Sequence, residues 1–165
     1  PYYDSAGLAN LTDQWTNTSV KVEWDNTEKA FKITKLGTAV SQVAAFLFST
    51  PSDQRNNLIY TFDIKSNGAT TGNFSVKLRG GDAMKKYAMD SSVLKSYREY
   101  TDVQYIRDLV SATAVPSTYT TYTLTTINSY INKIQRYKSH IIEVDVASLA
   151  VGNSLFIKNI ITQVL

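Results

Sequence analysis

LIYTFDIKSNGATTGNFSVKL, residues 58 to 78, decides the fold. Leu58, Tyr60, Phe62 and Ile64 alternate with Ile59, Thr61 and Asp63, the two-residue period of a strand with one buried face. Ser66-Asn67-Gly68 supplies turn residues, after which Phe74, Val76 and Leu78 resume the alternation. The same pattern recurs on both sides. Val20, Val22 and Trp24 share one phase, a turn through Asp25-Asn26-Thr27 follows, and Phe31-Lys32-Ile33-Thr34-Lys35 alternates again, so residues 20 to 35 read as a hairpin. Val43 to Phe48 is apolar in both phases, which predicts a central strand covered on both sides. Val103 to Asp108, Thr120 to Thr125, Ile141 to Val146 and Leu155 to Val164 complete the set. Many short strands punctuated by Gly, Asn and Ser indicate an all-β, antiparallel sandwich or barrel, with residues 1 to 165 as a single domain.

Two stretches do not alternate. Residues 84 to 101, MKKYAMDSSVLKSYREYT, form a long tyrosine-rich insertion, and Ser92 to Tyr100 reads as a short helix opening at Ser91-Ser92. Structureless insertions of this length are often functional, and a disordered tip is the alternative. Ile127 to Tyr137 fits helical spacing and a strand at 131 to 137 equally well. No repeat, low-complexity tract or linker interrupts the chain.

Composition removes several chemistries. With no cysteine among 165 residues, thiol catalysis, disulfides and Cys-bearing zinc sites are excluded. Lys plus Arg exceed Asp plus Glu by 17 to 14, too even a balance for a nucleic-acid footprint. The longest apolar run, Val43 to Phe48, is too short to cross a bilayer, and no basic amphipathic helix suits a membrane surface. A single histidine, His140, cannot be matched to a Ser-His-Asp set, and Arg79-Gly80-Gly81-Asp82 has the wrong glycine spacing for a phosphate loop and reads as a strand-ending turn. Glu23, Asp63, Glu143 and Asp145 fall on polar strand faces, where solvated charge outweighs a glycosidase pair. The expectation is a protein that is not an enzyme.

Thr, Ser and Asn supply 46 residues and Tyr a further 11, a mixture suited both to an ordinary polar β-surface and to sugar recognition. A saccharide site needs a flat aromatic face for the C–H patch of a pyranose and planar polar groups for its hydroxyls. Arg79, Asp82, Tyr87, Tyr97, Tyr100, Tyr105 and Arg107 bring these together and are the candidate ligand-binding residues, with Tyr105 and Arg107 on one face of a regular strand. The competing reading is that these tyrosines cover a satellite core or form a subunit contact. Trp15 and Trp24 are assigned to the core, Trp24 because it is in phase with Val20 and Val22.

The order of motifs resembles jelly-roll carbohydrate-binding modules, including those of bacteriophage tail and baseplate proteins. Trp15 followed by AFKIT at 30 to 34 resembles their opening, IYTFDIKSNGATTGNFSVKL at 59 to 78 their paired strands, STYTTYTLT at 117 to 125 a later strand, and GNSLFIKNI at 152 to 160 their final one. Two positions depart: Tyr119 stands where the family has Trp, and Lys158 where it often has Asp. The resemblance implies a non-catalytic module that binds cell-surface or cell-wall saccharide, for host recognition by a phage tail or baseplate protein. It also implies neighbouring domains in a larger assembly and a virion or extracellular location, to which the chain's start at Pro1, as in a processed or excised piece, adds. The alternative is a structural module that contacts only protein. No cofactor is expected. Many such modules hold a structural calcium near the chain ends, for which Asp4, Asp13, Asp25 and Asp145 are the available carboxylates, although no spacing resembles a calcium loop.

Overall fold

The computed structural model describes residues 19–39, 42–49, 58–68, 72–90, 93–125 and 139–164. Nine strands are laid down in chain order among them: β1 (Val20–Asp25), β2 (Ala30–Lys35), β3 (Val43–Ser49), β4 (Leu58–Ser66), β5 (Asn73–Asp90), β6 (Val93–Ala114), β7 (Thr120–Thr125), β8 (Ser139–Asp145) and β9 (Ser154–Val164). They form a five-stranded sheet, β1-β2-β9-β4-β7, and a four-stranded sheet, β3-β8-β5-β6. Every pairing is antiparallel. The pairs 5/6, 4/7, 3/8 and 2/9 are the rungs of one long folded ribbon. Wrapping that ribbon also sets β9 beside β4 and β8 beside β5, which is the double Greek key of a jelly roll. The all-β sandwich read from the sequence is the observed fold, and β1 extends one sheet by a strand.

Alternation decides which face each strand buries. β4 is buried at every second residue, Leu58, Tyr60, Phe62, Ile64 and Ser66. These meet Val20, Val22, Phe31 and Ile33 of the first hairpin, Phe74, Val76 and Leu78 of β5, Ile142 and Val144 of β8, and Leu155 and Ile157 of β9 in one core. Each such side chain contributes about 1.5–3 kcal/mol by leaving water. Aromatic rings fill the β7 end, where Phe62 stacks on Tyr122 at 5.9 Å and Phe74 meets the same ring edge-on at 5.6 Å. Lys35 obeys the phase of Phe31 and Ile33 and is buried with them. Its ammonium donates to the Ala147 carbonyl, which satisfies the charge inside the fold.

Four expectations are corrected. β3 ends its sheet among the described residues rather than occupying the centre, since it pairs with β8 alone; Ala44 and Phe46 on it are buried. Trp24 is in phase with the core yet 45 % exposed, because it lies near the end of the edge strand β1 and rests edge-on against Phe31 at 5.1 Å. Arg79-Gly80-Gly81-Asp82 does not end a strand. β5 runs through it with register shifts at Leu78/Arg79 and Gly80/Asp82, because glycine lets a strand bulge without breaking its ladder. Residues 93 to 100 are strand, not helix: β6 pairs with β5 continuously from Asp82↔Thr101 to Asp90↔Val93, and this ladder satisfies the backbone that a helix would otherwise serve. Trp15 and the segment 127 to 137 lie outside the described residues.

Gly72 sits at φ +139°, and a β-carbon built on it would lie 2.5 Å from the Ser148 carbonyl oxygen and 3.0 Å from the Leu149 α-carbon. The entry to β5 therefore packs directly on the backbone before β9. Gly72→Ala is expected to destabilise the domain by about 2 kcal/mol or more, measured as a lower urea midpoint with unchanged slope.

Candidate functional site

Strand alternation that fills the core also decides what the outer face of the five-stranded sheet presents. With Phe62 and Ile64 inward on β4, Asp63 and Lys65 face out; with Leu155 and Ile157 inward on β9, Phe156 and Lys158 take the outer side, where Phe156 is buried and the Lys65 ammonium lies 5.7 Å from its ring centroid. The register lines them up. Lys158, Asp63 and Thr121 form one row across β9, β4 and β7, and Lys32, Phe156 and Lys65 form the next across β2, β9 and β4. Tyr119, immediately before β7, completes the cluster.

A bulge in β9 gives the cluster its shape. Thr61 pairs with Ile161, but Asp63 pairs with Lys158, so β9 carries one residue more than β4 over this step. Asn159 adopts φ +50°, a left-handed conformation that asparagine tolerates. The extra residue reverses the phase of the strand, turning Ile160 into the core while Asn159 stays exposed. Asn159 Nδ2 then donates to Asp63 Oδ2 at 2.6 Å, and Thr121 Oγ1 donates to Asp63 Oδ1 at 2.6 Å.

The β1–β2 turn closes the other side. Asp25 Oδ1 accepts from the amides of Thr27 and Glu28, which shapes the turn and presents Glu28 to the sheet. Lys65 Nζ donates to Glu28 Oε1 at 2.7 Å, and Tyr119 Oη donates to Glu28 Oε2 at 2.9 Å. The Lys158 ammonium lies 3.6 Å from the centroid of the Tyr119 ring, and that of Lys65 lies 5.1 Å from it. Hydrogen bonds from Lys65 and then Tyr119 hold the Glu28 carboxyl below the usual carboxylate range. Desolvation, and then the bond to Glu28, push the Tyr119 hydroxyl well above the usual tyrosine range.

The arginines predicted from the sequence are elsewhere. Arg79 Nε donates to Glu143 Oε2 at 3.0 Å on the four-stranded sheet. Arg107 Nη1 reaches the Thr125 carbonyl at 3.4 Å, linking β6 to β7, the edge strands of the two sheets among the described residues. The two stand at neighbouring ladder positions, with Leu78 opposite Arg107 and Arg79 opposite Tyr105, but their side chains bond to different partners. Side chains of Asp82, Tyr87, Tyr97, Tyr100 and Tyr105 lie outside the description, but their backbone positions are given. Tyr87↔Ser96 and Ala83↔Tyr100 are four rungs apart on an unbroken ladder, whereas Lys86↔Tyr97 alternates with them. The β6 strand is not regular between Tyr105 and Arg107, because these residues pair with the consecutive residues Arg79 and Leu78.

Tyr119 and Lys158, two separate departures from the family pattern in sequence, meet in the structure, and Asp63, a solvated acid by its strand phase, is held by Thr121 and Asn159. Glu28, Lys65, Thr121, Phe156 and Asn159 were missed as site residues. Of the other acids, Glu23 pairs with Lys21 at 2.7 Å and Asp145 Oδ1 accepts from the Ala147 amide, so both serve local structure. No group of three potential metal ligands occurs among the described residues. Asp25 and Asp145 each accept backbone amides through Oδ1; Asp4 and Asp13 lie outside the described residues.

No family model matches the chain, and no curated protein matches it. Among solved structures it is similar to one titled "Family 16 Carbohydrate Binding Module-2", at 11 % identity and a TM-score of 0.42, over 91 % of this chain and 88 % of that one. At that distance the likeness carries no functional argument, and the fold rests on its own strand order.

The Glu28 network has a pH signature. A carboxyl held below its ordinary range stabilises the fold above the unfolded pKa of about 4.3, and the contribution is lost as pH falls through the lower folded value. Between pH 6 and 3 the melting temperature of the native protein is expected to fall more steeply than that of Glu28→Gln, as followed by circular dichroism. Parallel curves would remove Glu28 from the network.

Proposed function

We propose that this domain is a non-catalytic saccharide-binding module and that its ligand lies across the outer face of the five-stranded sheet. The observation that carries the reading is a Tyr119 ring tied to Glu28 and in contact with Lys158, the ladder partner of Asp63, whose carboxylate is held by Thr121 and Asn159. An aromatic face suits the C–H patch of a pyranose, and a carboxylate with two bonds made still has lone pairs for sugar hydroxyls. Side chains fixed in advance lose little rotamer entropy when a ligand arrives. One shallow face binds weakly, and many copies in an assembly raise the avidity. The finer proposals, host-surface recognition by a phage tail or baseplate protein and a virion or extracellular location, are supported by the motif resemblance.

A second reading, a structural module contacting protein, is favoured by the β5–β6 ribbon. Beyond Gly81↔Ser139 its residues 82–90 and 93–101 pair only with each other among the described residues. A glycan array that includes bacterial cell-wall polysaccharides separates the two. The native domain is expected to give specific hits, and Tyr119→Ala to lose them by at least tenfold while keeping its melting transition, about what one stacked aromatic contributes. Loss in the triple variant Tyr87→Ala, Tyr97→Ala, Tyr100→Ala, with Tyr119→Ala unaffected, would move the site to the ribbon. No hits, together with ordered self-assembly of the isolated domain, would favour the structural module.

A further inference from the structure

The lysines of the outer face are not equally neutralised. Lys65 is paired with Glu28 at 2.7 Å. Lys158 has no carboxylate within ion-pairing distance among the described residues, because Asp63, its partner across the ladder, directs its two oxygens at Thr121 and Asn159. Its ammonium rests instead on the Tyr119 ring at 3.6 Å. Lys32, opposite Phe156 on β2, also has no ion pair among the described residues and is half-buried. Lys32 and Lys158 thus stand diagonally across β2 and β9 on either side of Phe156, two cations without a carboxylate partner on one face.

The place that Lys158 occupies matters. A neutral sugar stacking there must displace the ammonium from the ring and offers it no charged partner in exchange. A ligand bearing its own carboxylate offers the ammonium a charge-assisted hydrogen bond, stronger than the contact it gives up. On the reading of this face as a saccharide site, we infer that it takes an acidic saccharide, a uronate-containing chain whose carboxylate draws Lys158 off Tyr119 and so opens the ring for the neighbouring sugar. Lys32, about 7–8 Å away across the diagonal, is placed to meet a second carboxylate of the same chain. Lys158 is then both the selector for charge and the cover over an otherwise sticky ring.

The test uses the full chain with immobilised oligogalacturonate and oligomers of mannuronate and guluronate, each beside its carboxyl-reduced, linkage-matched counterpart, together with the neutral array above. The native protein is expected to bind at least one uronate about tenfold more tightly than its reduced counterpart, with the margin shrinking as salt rises. Lys158→Met, which keeps chain length without charge, is expected to erase the margin and to bind the reduced form at least as well as the native protein does. Preference of the native protein for the reduced forms, or a uronate margin that survives Lys158→Met, would overturn the inference. Neutral hits with no uronate binding would overturn it while leaving the proposed function standing. Failure of both folded proteins on every charged and neutral probe would overturn the proposed function as well.

Discussion

The placement of β9 between β2 and β4 is the constraint on which the rest of the structure depends. β9 bonds Phe31 to Thr34 of β2 on one side and Leu58 to Ser66 of β4 on the other, so the first hairpin joins the rest of the sheet through the end of the chain. Leu155, Ile157 and Ile160 extend the core along the same line. Without this strand the β1–β2 hairpin loses its ladder partner, and a lone hairpin is marginal in water. Pairings between residues more than 120 positions apart also carry a large loop-closure cost, which the buried faces of β4 and β9 offset together.

The outer-face cluster follows from that pairing rather than from any local motif. The bulge at Asn159 exists because β9 must match β4 on both sides of the step between Thr61 and Asp63 while burying Ile157 and Ile160 alike. Its by-product is an exposed asparagine beside Asp63 and a lysine aimed at Tyr119. Such partly exposed ion pairs add little stability. The Glu28 network is better understood as positioning: it ties the β1–β2 turn to β4 and to the start of β7, and sets the orientation of the Tyr119 ring.

The tyrosine-rich stretch read from the sequence and the polar aromatic cluster lie on different sheets. The tyrosine-rich stretch became the self-paired end of the β5–β6 ribbon, while the polar aromatic cluster formed on the other sheet. Arg79 and Arg107, grouped with those tyrosines by nearness in sequence, are tied to Glu143 and to the Thr125 carbonyl. Sequence proximity grouped residues that strand pairing then spread along one long β5–β6 ladder.

Much of the fold was legible in residues 58 to 78, because a strand with one wet face writes its period of two directly into the chain. The first hairpin, the all-β class, and the buried phases of β4 and the start of β5 follow from such local alternation. Even the burial of Lys35 was implicit in its phase with Ile33. What the tertiary structure alone decided was neighbourhood: that β3 is an edge among the described residues and not a centre, that Trp24 lies past the covered part of β1, that 93 to 100 extend a ladder, and that Tyr119 and Lys158 meet. Periodicity is set by a residue's own backbone and is readable one strand at a time. Register, bulges and cross-sheet contacts are set by partners distant in the chain, so residues such as Glu28, Asp63 and Asn159 become a site only once the strands have been paired.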